Sequence, residues 1–168
     1  MGFMVKVLFK IYSFTLFLLC IGLYASECET YVNEIHRSFT EKMQMEFGLQ
    51  CTGTGVSMPD DIIGNMEISF TAFRQASLEE ARALELFILD LFQKEVNACE
   101  KIRPYLEESP FPHSRVSVDI SFANSLGQSF CNGNVDFVFH APNKNRLFYY
   151  HKDPFKNQLV KAYDETYD

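Results

Sequence analysis

The spacing of apolar and polar positions predicts two amphipathic helices. In residues 27–47 the apolar positions recur every three or four residues, as one face of a helix requires. They are Val32, Ile35, Phe39, Met43 and Phe47. Ser77 and Glu80 have the spacing of a capping box, and a wider apolar stripe follows them until Pro104, which disfavours continuation. We therefore predict a second, longer helix over residues 77–103.

Alternation with a period of two predicts strands in four segments. They are residues 65–74, 115–123, 134–140 and 146–151. The glycine-rich stretch 51–61 is interpreted as an edge strand or a loop. The third segment is expected to turn Val135, Phe137 and Phe139 inward. The last is expected to turn Leu147 and Tyr149 inward, although a one-residue register shift would expose them instead.

These elements predict the α+β class. Short connections favour antiparallel pairing, and two helices with apolar stripes are expected to cover one face of the sheet. The prediction is a four- to five-stranded antiparallel sheet with two helices packed on one face, in a single domain over residues 26–157. Residues 158–168 are predicted to be a polar tail, as a short helix or a frayed end.

The first 25 residues differ from the rest. Lys6 and Lys10 are followed by an apolar run over residues 11–25, which ends at Ala25. This run is shorter than the roughly 20 residues that cross a membrane as a helix, and the arrangement is typical of a secretory signal peptide. We expect the protein to be exported, to the periplasm or the medium. The alternative is an uncleaved membrane anchor over residues 11–25.

Length and charge narrow the function classes. The chain has 168 residues and a formal net charge of −7, which argues against nucleic acid as a partner. Nucleotide-binding and metalloprotease signatures are not present in the sequence. We expect neither a cofactor nor a metal ion.

The cysteines leave two interpretations open. Cys28, Cys51, Cys99 and Cys131 follow the predicted signal peptide, and an even number in an exported chain is typical of up to two disulfides. The alternative is that they are small apolar core residues with free thiols. Their spacing fits no zinc site.

Polar residues on the uncovered sheet face are candidates for chemistry. In the predicted register Asp119, Asp136 and His140 share that face, where a carboxylate can orient an imidazole as a general base. The plainer interpretation is a solvated sheet face, which has the same composition.

Three aromatic residues are candidates for binding. Phe73, Phe148 and Tyr150 point outward in the predicted register, near one edge of the sheet. Exposed aromatic side chains that cluster are typical of a surface for a partner or ligand.

Three stretches carry a resemblance to uncharacterised exported proteins of chlamydia-like intracellular bacteria. They are EARALE from Glu80, VNACEKIRPYLEESPFP from Val96 and RVSVDISF from Arg115. The resemblance includes no catalytic motif. It implies export from a bacterial cell and no particular activity.

The leading hypothesis is an exported, non-enzymatic module that binds a protein or a small ligand through the open face or the edge of its sheet. The alternatives are a small hydrolase that uses Asp119, Asp136 and His140, and a structural component of the cell envelope. Contact with a membrane is expected only through an uncleaved N-terminal segment.

Overall fold

The computed structural model describes residues 26–130 and 134–167. The predicted signal peptide, Cys131 and Asp168 lie outside these described residues. Within them, no helix is both long and apolar enough to cross a membrane.

Both helices begin at the predicted caps and the first also ends as predicted, but the second ends at Ala98, five residues before the predicted end at Arg103. Helix α1 spans Glu27–Phe47, and helix α2 spans Leu78–Ala98. At the start of α2, the Glu80 amide donates to Ser77 Oγ at 3.2 Å, and the Ser77 amide donates to Glu80 Oε2 at 2.8 Å. This reciprocal pair is the predicted capping box. Gly48 ends α1 in the left-handed conformation, with φ of 65°, which glycine adopts without strain.

Six strands form one sheet in the order in which they occur along the chain. They are β1 (Leu49–Ser57), β2 (Asn65–Ala72), β3 (Val116–Phe122), β4 (Phe137–Ala141), β5 (Arg146–Asp153) and β6 (Gln158–Thr166). The α+β class is confirmed, but the prediction of a wholly antiparallel sheet with four or five strands is wrong. Strands β2 and β3 are parallel, and the other neighbours are antiparallel. The connection between β2 and β3 contains α2, so the chain crosses over before it pairs again.

Both helices pack on the same face of the sheet. The alternate residues of β2 and β3 that face the helices are fully or almost fully buried. Phe39 of α1 joins the layers: its ring centroid lies 6.3 Å from that of Phe70 on β2 and 4.9 Å from that of Phe92 on α2. The opposite face of the sheet has no helix against it among the described elements, and we call it the open face.

The predicted tail is instead strand β6, which side chains hold in place. Arg82 of α2 makes two hydrogen bonds to the Glu165 carboxylate, each 2.6 Å long. The buried Tyr149 hydroxyl donates to the same carboxylate at 2.5 Å. Arg146 of β5 forms an ion pair with Asp164 of β6. A paired Arg–carboxylate fork is specific in geometry, so these contacts fix β6 at the edge of the sheet.

Candidate functional site

The open face carries a polar region on β2 and β3. Asp119 lies in register between Ser69 on β2 and Phe139 on β4. Ser69 Oγ donates to Asp119 Oδ2 at 3.2 Å. Glu67 lies on the same face of β2, two residues before Ser69. Two carboxylates therefore stand close together on an otherwise uncharged stretch of these strands.

The surroundings of Asp119 favour its protonated form. Burial is the largest cause, and the negative charge of Glu67 adds to it. The hydrogen bond from Ser69 opposes both, but the pKa of Asp119 still rises to about 6 from its ordinary 3.8. The raised pKa thus reflects a carboxylate that is poorly solvated and stands near a second negative charge.

Four aromatic rings continue the open face across β4 and β5, and we call them the aromatic patch: Phe137, Phe139, Phe148 and Tyr150. Phe139 stands at their centre. Its centroid lies 5.2 Å from that of Phe148, 5.8 Å from that of Phe137 and 6.0 Å from that of Tyr150. All four rings are partly exposed. The patch is thus an aromatic surface in contact with solvent and directly beside Asp119.

An open groove of about 1170 Å³ joins the acidic residues to the patch. Its lining includes Glu67, Asp119, Phe137 and Phe139. On the β1 side of the groove no side chain stands opposite Ser69 and Glu67, because Gly53 and Gly55 of β1 lie in register with them. The glycines that sequence analysis singled out therefore belong to an edge strand, where their lack of side chains keeps the groove open.

Positive charge is distributed unevenly along the groove. Beyond the groove, at the Phe148 side of the aromatic patch, Lys144 and Lys161 place their Nζ atoms 5.8 and 5.9 Å from the centroid of Phe148. At the other end, neither Glu67 nor Asp119 forms an ion pair with a lysine or arginine of the described chain. Arg115, which also lines the groove, pairs with Glu107 and Glu108 at 3.1 and 3.4 Å.

The predicted grouping of Asp119, Asp136 and His140 does not form. His140 is on the covered face, where its Nδ1–H donates to the Val116 carbonyl at 3.0 Å, and burial lowers its pKa. Asp136 accepts from Ser129 Oγ at 2.5 Å and from the Lys152 amide at 2.7 Å. The two faces of β4 are therefore the reverse of the prediction: Phe139, which pairs with Asp119 on β3 and Phe148 on β5, is on the open face, and His140 is on the covered face.

All three aromatic residues reach solvent as predicted, but they do not form one cluster, and their role in binding stays a prediction. Phe148 and Tyr150 lie on the open face within the patch. Phe73 is exposed but follows the end of β2, three strands away from β5, and makes no ring contact with the described aromatic residues. Phe137 and Phe139 were missed because the predicted register turned them inward.

Two buried titratable groups on the helices were also missed. Glu85 of α2 is 0% exposed, and neither of its carboxylate oxygens has a hydrogen-bond partner. Burial, followed by the charge of Asp119, raises its pKa well above the ordinary value, and the nearby His140 amide opposes this without forming a hydrogen bond. His36 of α1 stacks on Phe92, and burial lowers its pKa to about 4.

The described cysteines are free thiols. Cys28, Cys51 and Cys99 form no disulfide, which corrects that prediction for these three residues, while Cys131 lies outside the described chain. Cys28 is fully buried, with its Sγ 3.3 Å from the Sδ of Met58. It therefore fits the alternative of a small apolar core residue.

Replacing Asp119 with asparagine is expected to stabilise the protein at pH 7 by about 1 to 2 kcal/mol, because it removes a charge that burial and Glu67 disfavour. The expected gain is smaller than the full pKa shift implies, because solvent screens part of the unfavourable interaction. The raised pKa means that the folded chain binds this proton more tightly than the unfolded chain. Stability is therefore lost as the pH rises from about 4 to 6, and the loss is complete above that. Urea unfolding at pH 3.5 and pH 7 measures the effect. An equal gain at both pH values would contradict it.

No cluster of three or more histidine, cysteine, aspartate or glutamate side chains in the described chain has the geometry of a metal site. Comparison with protein families, with curated proteins and with solved structures finds no match to this chain. The open face, with its two carboxylates, its groove and its aromatic patch, is thus identified as the candidate site by its geometry.

Proposed function

We propose that this chain is an exported, non-enzymatic module that binds a basic segment of a protein partner on its open sheet face. One observation carries the proposal. Two carboxylates that lack an internal cation, Glu67 and Asp119, adjoin partly exposed aromatic rings in one groove.

The groove is chemically suited to an ammonium or guanidinium group. A cation placed over Phe139 or Phe137 gains from the negative faces of the rings and from the neighbouring carboxylates. Lys144 and Lys161 already occupy this position at Phe148, the far end of the same patch. A cation from a partner would contact the Phe139 ring in the same way as Lys144 and Lys161 contact the Phe148 ring.

Charge supports the same partner class. The formal net charge of −7 attracts basic chains over long range and repels acidic ones. Export is proposed from the signal-like residues 1–25, with their basic start and short apolar run. Hydrolysis gains no such support: although His140 is among the residues that line the groove, its imidazole is buried on the covered face and bound to the Val116 carbonyl, whereas Asp119 is on the open face.

Binding of tetralysine, measured by NMR titration at pH 7.5 and low salt, tests the proposal. We expect amide shifts to change at Glu67, Ser117–Ser121 and Phe137–Phe139. The double variant Glu67→Gln/Asp119→Asn should weaken binding by about tenfold or more, since it removes both charge-assisted contacts. Binding should also weaken below about pH 6, where Asp119 takes up a proton.

A matched control separates the groove from net charge. Glu34→Gln/Glu41→Gln removes the same charge from exposed positions on α1 and should leave affinity within about twofold. An equal loss in both double variants, or shifts confined to other surfaces, would contradict the proposal. Tetraglutamate should not bind.

A further inference from the structure

The hairpin of β5 and β6 extends beyond the rest of the sheet. Strand β4 pairs with β5 only over Arg146–Tyr150. Past that point His151, Lys152 and Asp153 pair as strand residues only with Val160, Leu159 and Gln158, although the Lys152 amide also donates to Asp136 Oδ2 at 2.7 Å. Three rungs give an arm about 10 Å long, with a turn at its end. We call residues 151–160 the hairpin arm.

The turn of the arm presents a phenylalanine to solvent in a fixed geometry. Asp153 Oδ1 accepts from the amides of Phe155 and Lys156 at 2.8 and 3.1 Å, and the Asp153 carbonyl accepts from the amide of Asn157 at 2.9 Å. Phe155 is nevertheless 96% exposed. A large apolar side chain is therefore held at the tip by an ordered turn.

Each face of the arm carries one exposed apolar side chain. Leu159 and Val160 are neighbours in β6, so they point to opposite faces, and they are 52% and 39% exposed. A flat protein surface would cover only one of these faces. A medium that surrounds the tip, such as the boundary between lipid head groups and acyl chains, covers the tip and both faces.

The charge of the arm is opposite to that of the chain. Lys152 and Lys156 flank Phe155 in a protein with a net charge of −7. The one acidic residue of the arm is Asp153, whose Oδ1 faces the amides of the turn. Lys161, at its base, pairs with Asp164. The two lysines fit an anionic surface.

We propose that the hairpin arm docks on anionic lipid bilayers, with Phe155 inserted among the head groups and Lys152 and Lys156 against the phosphates. The arm length of about 10 Å matches the depth of roughly 5 to 10 Å at which interfacial segments lie. The surface differs from the groove of the proposed function, so the two proposals stand independently.

Tryptophan fluorescence gives a test that reports on the arm alone. The chain contains no tryptophan, so Phe155→Trp in the full chain is a single probe at the tip. Vesicles of equal parts phosphatidylglycerol and phosphatidylcholine should shift its emission to the blue, and brominated lipid should quench it. Leu126→Trp, at a residue 78% exposed on a different loop, is the matched control and should not respond.

Charge reversal completes the test. In the Phe155→Trp background, Lys152→Glu/Lys156→Glu should lower the vesicle affinity by at least about tenfold, and 0.5 M NaCl should lower it similarly. The proposal is overturned if Phe155→Trp does not respond to the anionic vesicles, or responds equally to pure phosphatidylcholine. A response to polyglutamate without a response to vesicles would assign the arm to an acidic protein. A shift that depends only on protein concentration would assign it to a second copy of the chain. Either outcome overturns the proposal.

Discussion

Replacing Phe39 with alanine is expected to lower the free energy of unfolding by about 3 to 5 kcal/mol. Phe39 is fully buried, and it packs against Phe70 of β2 and Phe92 of α2. Its loss would leave a cavity where both helices meet the sheet, which those rigid elements fill only partly. Urea or thermal unfolding followed by circular dichroism measures the change.

Phe87→Ala is the control for Phe39→Ala. Phe87 lies on α2, but it is 46% exposed and contacts Phe47 at the outer side of the helices. The same truncation there should cost only about 1 to 2 kcal/mol, because roughly half of the side chain is already exposed to water. Similar losses for the two variants would show that Phe39 is not the point at which the layers join.

Replacing Glu85 with methionine is expected to raise the free energy of unfolding at pH 7 by about 2 to 4 kcal/mol. The carboxyl is fully buried, and neither oxygen has a hydrogen-bond partner, so its charged form is strongly disfavoured. Methionine has a similar length and no polar atom to desolvate. Chemical unfolding of both proteins at several pH values measures the gain.

The pH dependence identifies the cause. Because the pKa of Glu85 is raised, the folded chain holds this proton when the unfolded chain has released it. The wild type should therefore lose stability as the pH rises above the ordinary glutamate value of about 4.5, and Glu85→Met should lack that part of the loss. Glu85→Gln keeps the shape without the charge and should likewise lack the pH-dependent loss. A less stable Glu85→Met at pH 7 would contradict the argument.

Local signals predicted the helices well. The capping box of Ser77 and Glu80 and the apolar stripe of α1 are determined by residues three or four positions apart, so the sequence contains them in full. The sheet was harder, because its pairing depends on distant partners. A strand, a helix and a strand in succession permit the parallel crossover of β2 and β3, but short-range alternation does not show it.

Strands β4 and β6 show why a local pattern can fail. Around β4, both alternating sets of residues contain apolar side chains, so the alternation alone does not choose a face. Just before β4, Asp136 accepts hydrogen bonds from Ser129 and from the Lys152 amide, and these contacts are consistent with the observed orientation of the strand. Strand β6 is largely exposed and lacks alternation, and Arg82 and Tyr149 hold it through Glu165.

The candidate site was predictable in part for the same reason. Asp119, Phe148 and Tyr150 lie on strands whose alternation is clear, and they were placed on the open face. The error at β4 removed Phe137 and Phe139 from the prediction and added Asp136 and His140. A shift of one residue exchanges the two faces of a strand, so a single error changed both the aromatic and the catalytic hypotheses.

The parallel pairing of β2 with β3 has a consequence for how the protein is made. Synthesis delivers α1, β1 and β2 first, and the edge of β2 that will receive β3 has no partner until Phe122 has been added, about 50 residues after Ala72. At roughly 5 to 20 residues per second, that interval lasts about 3 to 10 s. During it, the nascent chain exposes a row of amide and carbonyl groups to any other extended segment nearby.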